Sequence, residues 1–193
     1  MTNSPAATRR RRSDRRDRLV AAATRLLLEQ GIERTTLADV AAAANVPSGN
    51  VYYYFKTKDD LVAAVVSSYI ERAKAVLHEI DIKYRTPKAR LKALVRQLTA
   101  HGDQIAETGC PVGTLCSELG KRTGIDLSQS ELMKTPLDWA EDQFRSLGRT
   151  DARELSQQLM ADYEGSALLS NTLNDPSILH AMARRLLAWI ESM

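Results

Sequence analysis

Two helix-start signatures, Thr36-Leu-Ala-Asp39 and Thr57-Lys-Asp-Asp60, bracket a stretch with room for only two short helices and a tight turn. In each, the threonine hydroxyl can accept the amide proton three residues on, while the aspartate reaches back to the threonine amide. Between them an Ala-rich run predicts a short helix through Ala44. Asn45 then stands where a tight turn needs a left-handed residue, a conformation that Asn tolerates better than most. Val46 and Pro47 cross the turn. Ser48 is placed to cap a second short helix, Gly49 to Phe55, with Val51 and Phe55 on its inner face. Ahead of the pair, Leu19, Ala22, Ala23, Leu26 and Leu27 recur at helical spacing until Gly31 supplies a stop.

Charge is distributed unevenly around this pair. Residues 1–58 hold 11 Lys/Arg against 5 Asp/Glu, whereas residues 59–193 hold 16 against 19. Clustered cations of this kind suit a phosphate backbone, whose condensed counterions they displace. The densest run, Arg9 to Arg12, lies in residues 1–14, a segment with Pro5 and little apolar content that reads as a flexible basic arm. A solvated tail without a specific partner has the same composition.

Beyond Thr57 a long helix is expected from Lys58 to about Tyr84, then Lys88 to Glu107, a shorter helix after Cys110-Pro111, Ser128 to Leu147, Asp151 to about Thr172, and Asp175 to Glu191. Gly109, Gly148 and Asn174-Asp-Pro176 punctuate them. No segment alternates with the period of a strand. The expected fold is therefore all-α with about nine helices, divided into the arm at 1–14, a helix-turn-helix domain at 15–60 and a larger helical domain at 61–193.

Other classes find little support. No stretch approaches the roughly 18 uninterrupted apolar residues of a membrane helix, and the Arg-rich start lacks a signal-peptide core, so a cytoplasmic protein is expected. His78, His101 and His180 fall on different expected helices, without a paired-His motif, phosphate loop or nucleophile elbow. No enzyme activity, metal or cofactor is anticipated. Cys110 and Cys116 lack zinc-ligand spacing. Cys110 does precede Pro111 at an expected helix start, which could lower its pKa, so a redox- or electrophile-sensing regulator is an alternative. A non-specific architectural DNA-binding protein is another.

The segment TTLADVAAAANVPSGNVYYYFKTKDDLV, preceded by a helix ending LLLEQG, resembles the N-terminal region of the tetracycline-repressor (TetR/AcrR) family of bacterial regulators. Further on, GCPVGTLCSELG looks like a segment of a subgroup that includes lincomycin- and flavonoid-responsive repressors. The resemblance implies that Thr36 touches a phosphate and that Ser48, Gly49 and Asn50 face base edges, Gly49 permitting close backbone approach. It also implies that Tyr52, Tyr53 and Tyr54 grip phosphates or thymine methyls, and that Lys58 pairs with a phosphate. Many members of that family carry Lys or Arg at the position of Ser48. Its absence here shifts weight onto Arg9, Arg10, Arg11, Arg12 and Arg15, which are expected to reach an adjacent minor groove.

In the family the remainder of the chain pairs two subunits through the last two long helices and encloses an effector cavity. Leu155, Leu159, Ala167, Leu168, Ile178, Leu179, Met182, Leu186 and Trp189 form the expected dimer stripes, although packing inside one subunit satisfies the same spacing. Tyr69, Leu94, Leu98, Leu115, Trp139, Phe144, Met160 and Tyr163 are the expected contacts for a small, apolar or planar effector. The partners implied are double-stranded operator DNA, that effector, and a second copy of the chain.

Overall fold

The computed structural model describes the backbone of residues 5–121 and 127–193, and the side chains of 14–121 and 131–193. Among the described residues every regular element is helical, in the order α1 (Pro5–Arg34), α2 (Leu37–Ala43), α3 (Ser48–Tyr54), α4 (Lys58–Lys83), α5 (Pro87–Leu98), α6 (Gly102–Thr108), α7 (Pro111–Gly120), α8 (Leu127–Ser146), α9 (Ala152–Leu173) and α10 (Ser177–Glu191). They resolve into two compact units, Met1–Tyr69 and Ile70–Met193, the division falling inside α4.

In the first unit, α1 packs on α2 and α2 on α3. The α1 backbone begins at Pro5, ahead of the expected start near Arg15. Alanine and arginine favour helix, and Arg18 pairs with Asp14 one turn earlier at 3.5 Å, which supports the extension. The side chains of Arg9, Arg10, Arg11 and Arg12 lie outside the described residues. Gly31, at φ 81°, breaks the helical path just before its last turn, a conformation that glycine adopts at no steric cost. Leu19, Ala23, Leu27, Val40, Ala41 and Val51 fill the core.

The second unit is built around α9, which packs on α6, α8 and α10, while α5 packs on α8 and α10. Phe144, Leu159, Leu179, Met182 and Ile190 are among its largest fully buried side chains. The single helix expected from Lys88 to Glu107 is two, α5 and α6. The Thr99 hydroxyl bonds back to the Val95 carbonyl at 2.8 Å, and His101, at φ −116° and ψ 42°, leaves the helical path. Gly102 then opens α6 under His180, whose Nε2 would lie 3.2 Å from a Cβ at that position. This break brings the total to ten helices among the described residues.

One polar bracket joins α4, α5 and α8. Arg90 donates from Nε to the Tyr84 carbonyl (2.9 Å), from Nη2 to the Asp81 carbonyl (3.2 Å) and from Nη1 to Gln143 Oε1 (3.4 Å). Trp139 Nε1 donates to Asp81 Oδ2 at 3.0 Å. The other Asp81 oxygen faces Arg90 Nε at 3.4 Å, so the half-buried charges compensate one another.

Asn45 takes the left-handed conformation expected of it, at φ 52°. That geometry costs an ordinary L-residue about 1–2 kcal/mol. Asn45→Val is therefore expected to loosen α2 and α3, measured as faster amide hydrogen exchange, by about that amount, whereas Asn45→Gly changes exchange little. Equal effects of Val and Gly would contradict this account of the turn.

Candidate nucleic-acid interface

Short helices need their ends satisfied from outside. At the start of α2 the Thr36 hydroxyl accepts from the Asp39 amide (3.1 Å) and the Asp39 carboxylate accepts from the Thr36 amide (3.0 Å), completing the box read from the sequence. The Thr36 hydroxyl also donates to the same carboxylate at 2.7 Å. These bonds from Thr36 hold the Asp39 carboxyl below its ordinary value. At the start of α4, Asp60 accepts from the amides of Lys56 and Thr57, both at 3.0 Å, and its own amide donates to Thr57 Oγ1 at 3.0 Å. Between these boxes α3 begins at Ser48 itself. The expected Ser48 cap is absent because Pro47 is the capping residue, and its carbonyl accepts the Asn50 amide at 2.8 Å.

Val51 and Phe55 are buried, which fixes the rotation of α3. The opposite face carries Ser48, Gly49 and Asn50, all exposed, with Tyr52 53% and Tyr53 56% exposed. Tyr54 is half-buried, and its ring meets that of Tyr53 edge to face at 5.2 Å. A Cβ at Gly49 would meet nothing within 4 Å, so the fold does not require glycine there. Thr36 is exposed one helix away, at the N-terminus of α2, where amide groups point outward and favour an anion.

Lys58 has a structural task that its sequence context did not reveal. Its Nζ donates to the Ile32 and Glu33 carbonyls, at 3.1 and 3.0 Å, closing the end of α1. A phosphate at this position would share the ammonium with those carbonyls. Lys56 and Arg15 are exposed on the same unit. Two arginines missing from the expected set also approach the motif. The Arg16 guanidinium lies 5.5 Å from the centre of the Phe55 ring, and Arg18 donates to the Ala44 carbonyl at 3.4 Å. Their helical spacing from Arg15 is visible in the sequence, but their partners just after α2 and α3 are not.

In the second unit, Leu94, Phe144, Met160 and Tyr163 come together in one packed core, with Leu98 and Trp139 half-buried at its margin and Leu115 buried. Tyr69 belongs to the first unit. Of the expected dimer residues, Leu155, Leu159, Ala167, Leu179, Met182 and Leu186 are buried against their own chain, Ile178 and Trp189 are half-buried, and Leu168 is 67% exposed. Leu169 and Leu173, beside Leu168 on α9, are 54% and 64% exposed. Most of these stripe residues are thus covered by their own chain.

Cys110 does open α7, as its N-cap, and accepts from the Gly113 amide at 3.5 Å. The expected activation does not follow. Burial first, then the neighbouring Glu164 carboxylate, push the thiol up to about 11. Its sulfur lies 3.4 Å from Glu164 Oε1 and 3.6 Å from the Tyr163 hydroxyl. Cys116 is raised as well, by burial and by Glu164.

A capped pair of short helices, joined by a left-handed turn and showing polar and tyrosine side chains on the second, is a helix-turn-helix of the DNA-reading class. Comparison with known proteins places it more closely. Residues 19–65 match the family model for bacterial regulatory proteins, tetR family. The HTH-type transcriptional repressor KstR2 of Rhodococcus jostii is 33% identical over 49% of this chain and 47% of its own length. LmrA, an HTH-type transcriptional regulator of Bacillus subtilis, is 27% identical over 86% of this chain and 92% of its own. A TetR transcriptional regulator of Chloroflexus aurantiacus shares the fold with a TM-score of 0.78, at 20% identity, over 94% of this chain and 96% of that one. Residues 19–65 of this chain are thus a domain of the kind found in the tetR family of bacterial regulatory proteins. The chain spans about half the length of the Rhodococcus repressor it matches.

With the Cys110 thiol raised to about 11, roughly one molecule in a thousand carries a thiolate there at pH 8. Iodoacetamide should therefore label it far more slowly in the native protein than after unfolding in urea, read by mass spectrometry. Equal native and unfolded rates would restore the reactive-thiol alternative.

Proposed function

We propose that the chain is a ligand-relieved repressor that reads a palindromic operator as a homodimer. The observation that carries this reading is the outer face of α3, where Ser48, Gly49, Asn50, Tyr52 and Tyr53 are exposed while Val51 beneath them is buried. Exposed tyrosines lose unfavourable hydration of their rings, and find hydrogen-bond acceptors, when they meet phosphates and thymine methyls. Arg15 and the Arg9 to Arg12 run supply the positive charge that Ser48 does not, and Arg16 and Lys56 add to it.

Two-fold pairing is supported by α9. Ala161, Gly165, Leu168, Leu169, Thr172 and Leu173 form one exposed stripe at helical spacing, and small residues along it let two helices approach closely. The interface proposed here is therefore this stripe, which retains only Leu168 from the residues singled out by spacing. Pairing matters because two recognition helices about one DNA turn apart read an inverted repeat.

The effector is proposed to be small and apolar or planar, entering at the half-buried margin of the second core near Leu98 and Trp139. It relieves repression only by preferring the state that does not hold DNA, since equal affinity for both states shifts nothing. A cytoplasmic location follows from the DNA partner, and no helix among the described residues is long and apolar enough to cross a membrane. The buried thiol disfavours the redox alternative.

Footprinting on the DNA flanking the protein's own gene should reveal one protected inverted repeat; uniform protection without sequence preference would favour an architectural protein instead. On that site Tyr52→Ala is expected to weaken binding about tenfold, and deletion of residues 1–12 to flatten the salt dependence. Leu169→Glu should convert the dimer to monomer in sedimentation and abolish operator binding. Leu98→Trp should spare operator binding and remove release by an effector found in a thermal-shift screen.

A further inference from the structure

The hairpin formed by the second half of α4 and by α5 carries a groove of about 280 Å³ whose lining is neither uniformly apolar nor uniformly charged. Its floor is Val76 and Ile80 from α4 and Ala93 from α5, with Tyr84 at the end nearest the turn. Ile80 and Ala93 are buried and Val76 half-buried, so the floor is apolar. Its rim holds two exposed cations, Lys83 and Arg96, one from each helix. None of the eight side chains expected to contact an effector lines it.

The cations of this region differ in how they are held. Arg90 is committed to Asp81 and the Tyr84 carbonyl, while Lys92 and Lys88 are committed to the Glu191 carboxylate and carbonyl. No carboxylate pairs with Lys83 or Arg96 among the described residues. The contact described for Lys83 is its ammonium 5.6 Å from the centre of the Tyr84 ring. Glu79 is the one carboxylate in the lining, which leaves it one positive charge in excess. That balance favours a monoanion over a polyanion. The walls are also set in advance: Arg90 ties the turn between the helices to α4, and Trp139 holds Asp81 from α8. Occupying a preformed groove avoids the cost of ordering it.

We propose that this groove is a binding site for a small amphipathic monocarboxylate, with the carboxylate between Lys83 and Arg96 and the apolar body along Val76, Ile80 and Ala93. A volume just below the usual range for ligand sites, roughly 300–1,000 Å³, fits a medium-chain or aryl acid and not a large polycyclic compound. The site is independent of the DNA-binding reading, because it is defined by the second unit alone and is measured without DNA.

The test uses the full-length protein and two acids, octanoate and 4-phenylbutanoate, each beside its neutral amide. Calorimetric titration should show binding of at least one acid, and at least tenfold weaker binding of its amide. The double variant Lys83→Gln/Arg96→Gln alters only exposed side chains. It should lose at least tenfold in affinity for the acid at an unchanged midpoint of thermal unfolding. Methyl resonances of Val76, Ile80 and Ala93 should shift on addition of the acid to the unaltered protein. The proposal is overturned if neither acid binds, if amide and acid bind alike, if the double variant binds as the parent does, or if the shifted methyls lie elsewhere.

Discussion

A helix of seven residues has almost no stability of its own, because the cost of nucleation is spread over too few hydrogen bonds. The second helix of the helix-turn-helix, α3, is such a helix. It is held in place by Val51 and Phe55 beneath it, by the left-handed Asn45 before it, and by the Thr57–Asp60 box that starts α4 directly after it. Lys58 extends this arrangement by drawing the start of α4 onto the last carbonyls of α1. The exposed face of α3 is defined only because these surrounding contacts remove its freedom to rotate.

Much of this was legible in the sequence because the interactions are local. A capping box joins residues three apart, a left-handed Asn advertises its own turn, and the Val51–Phe55 spacing needs no knowledge of the rest of the chain. The resemblance implies a phosphate contact for Lys58, whereas its bonds to carbonyls 26 and 25 residues earlier are not legible, because carbonyls leave no trace in a sequence. The break between α5 and α6 was missed for a similar reason: apolar spacing continues through it, while the close approach of Gly102 to His180 is a tertiary fact.

The stripes of α9 and α10 show the limit of periodicity most clearly. Spacing identifies Leu155, Leu159, Leu179 and Leu186 as one-sided, but it does not say what covers that side. With α6, α8 and α10 packed around α9, those residues are consumed by the subunit's own core. What remains exposed is a different strip of the same helix, one whose small residues Ala161 and Gly165 carry little weight in any hydrophobic pattern. Cys110 follows the same logic. Its position at a helix start is a local signal, whereas the burial and the Glu164 carboxylate that reverse its acidity come from elsewhere in the chain.

The empty space over Gly49, with Ser48 and Asn50 exposed beside it, separates two demands that most helices must meet with the same side chains. Substitutions at these three positions change an exposed surface while leaving the buried Val51 and Phe55 untouched. The outer surface can therefore change while the buried side of the helix is kept. A helix-turn-helix built this way can vary its outer face in single mutational steps with the same side chains beneath it.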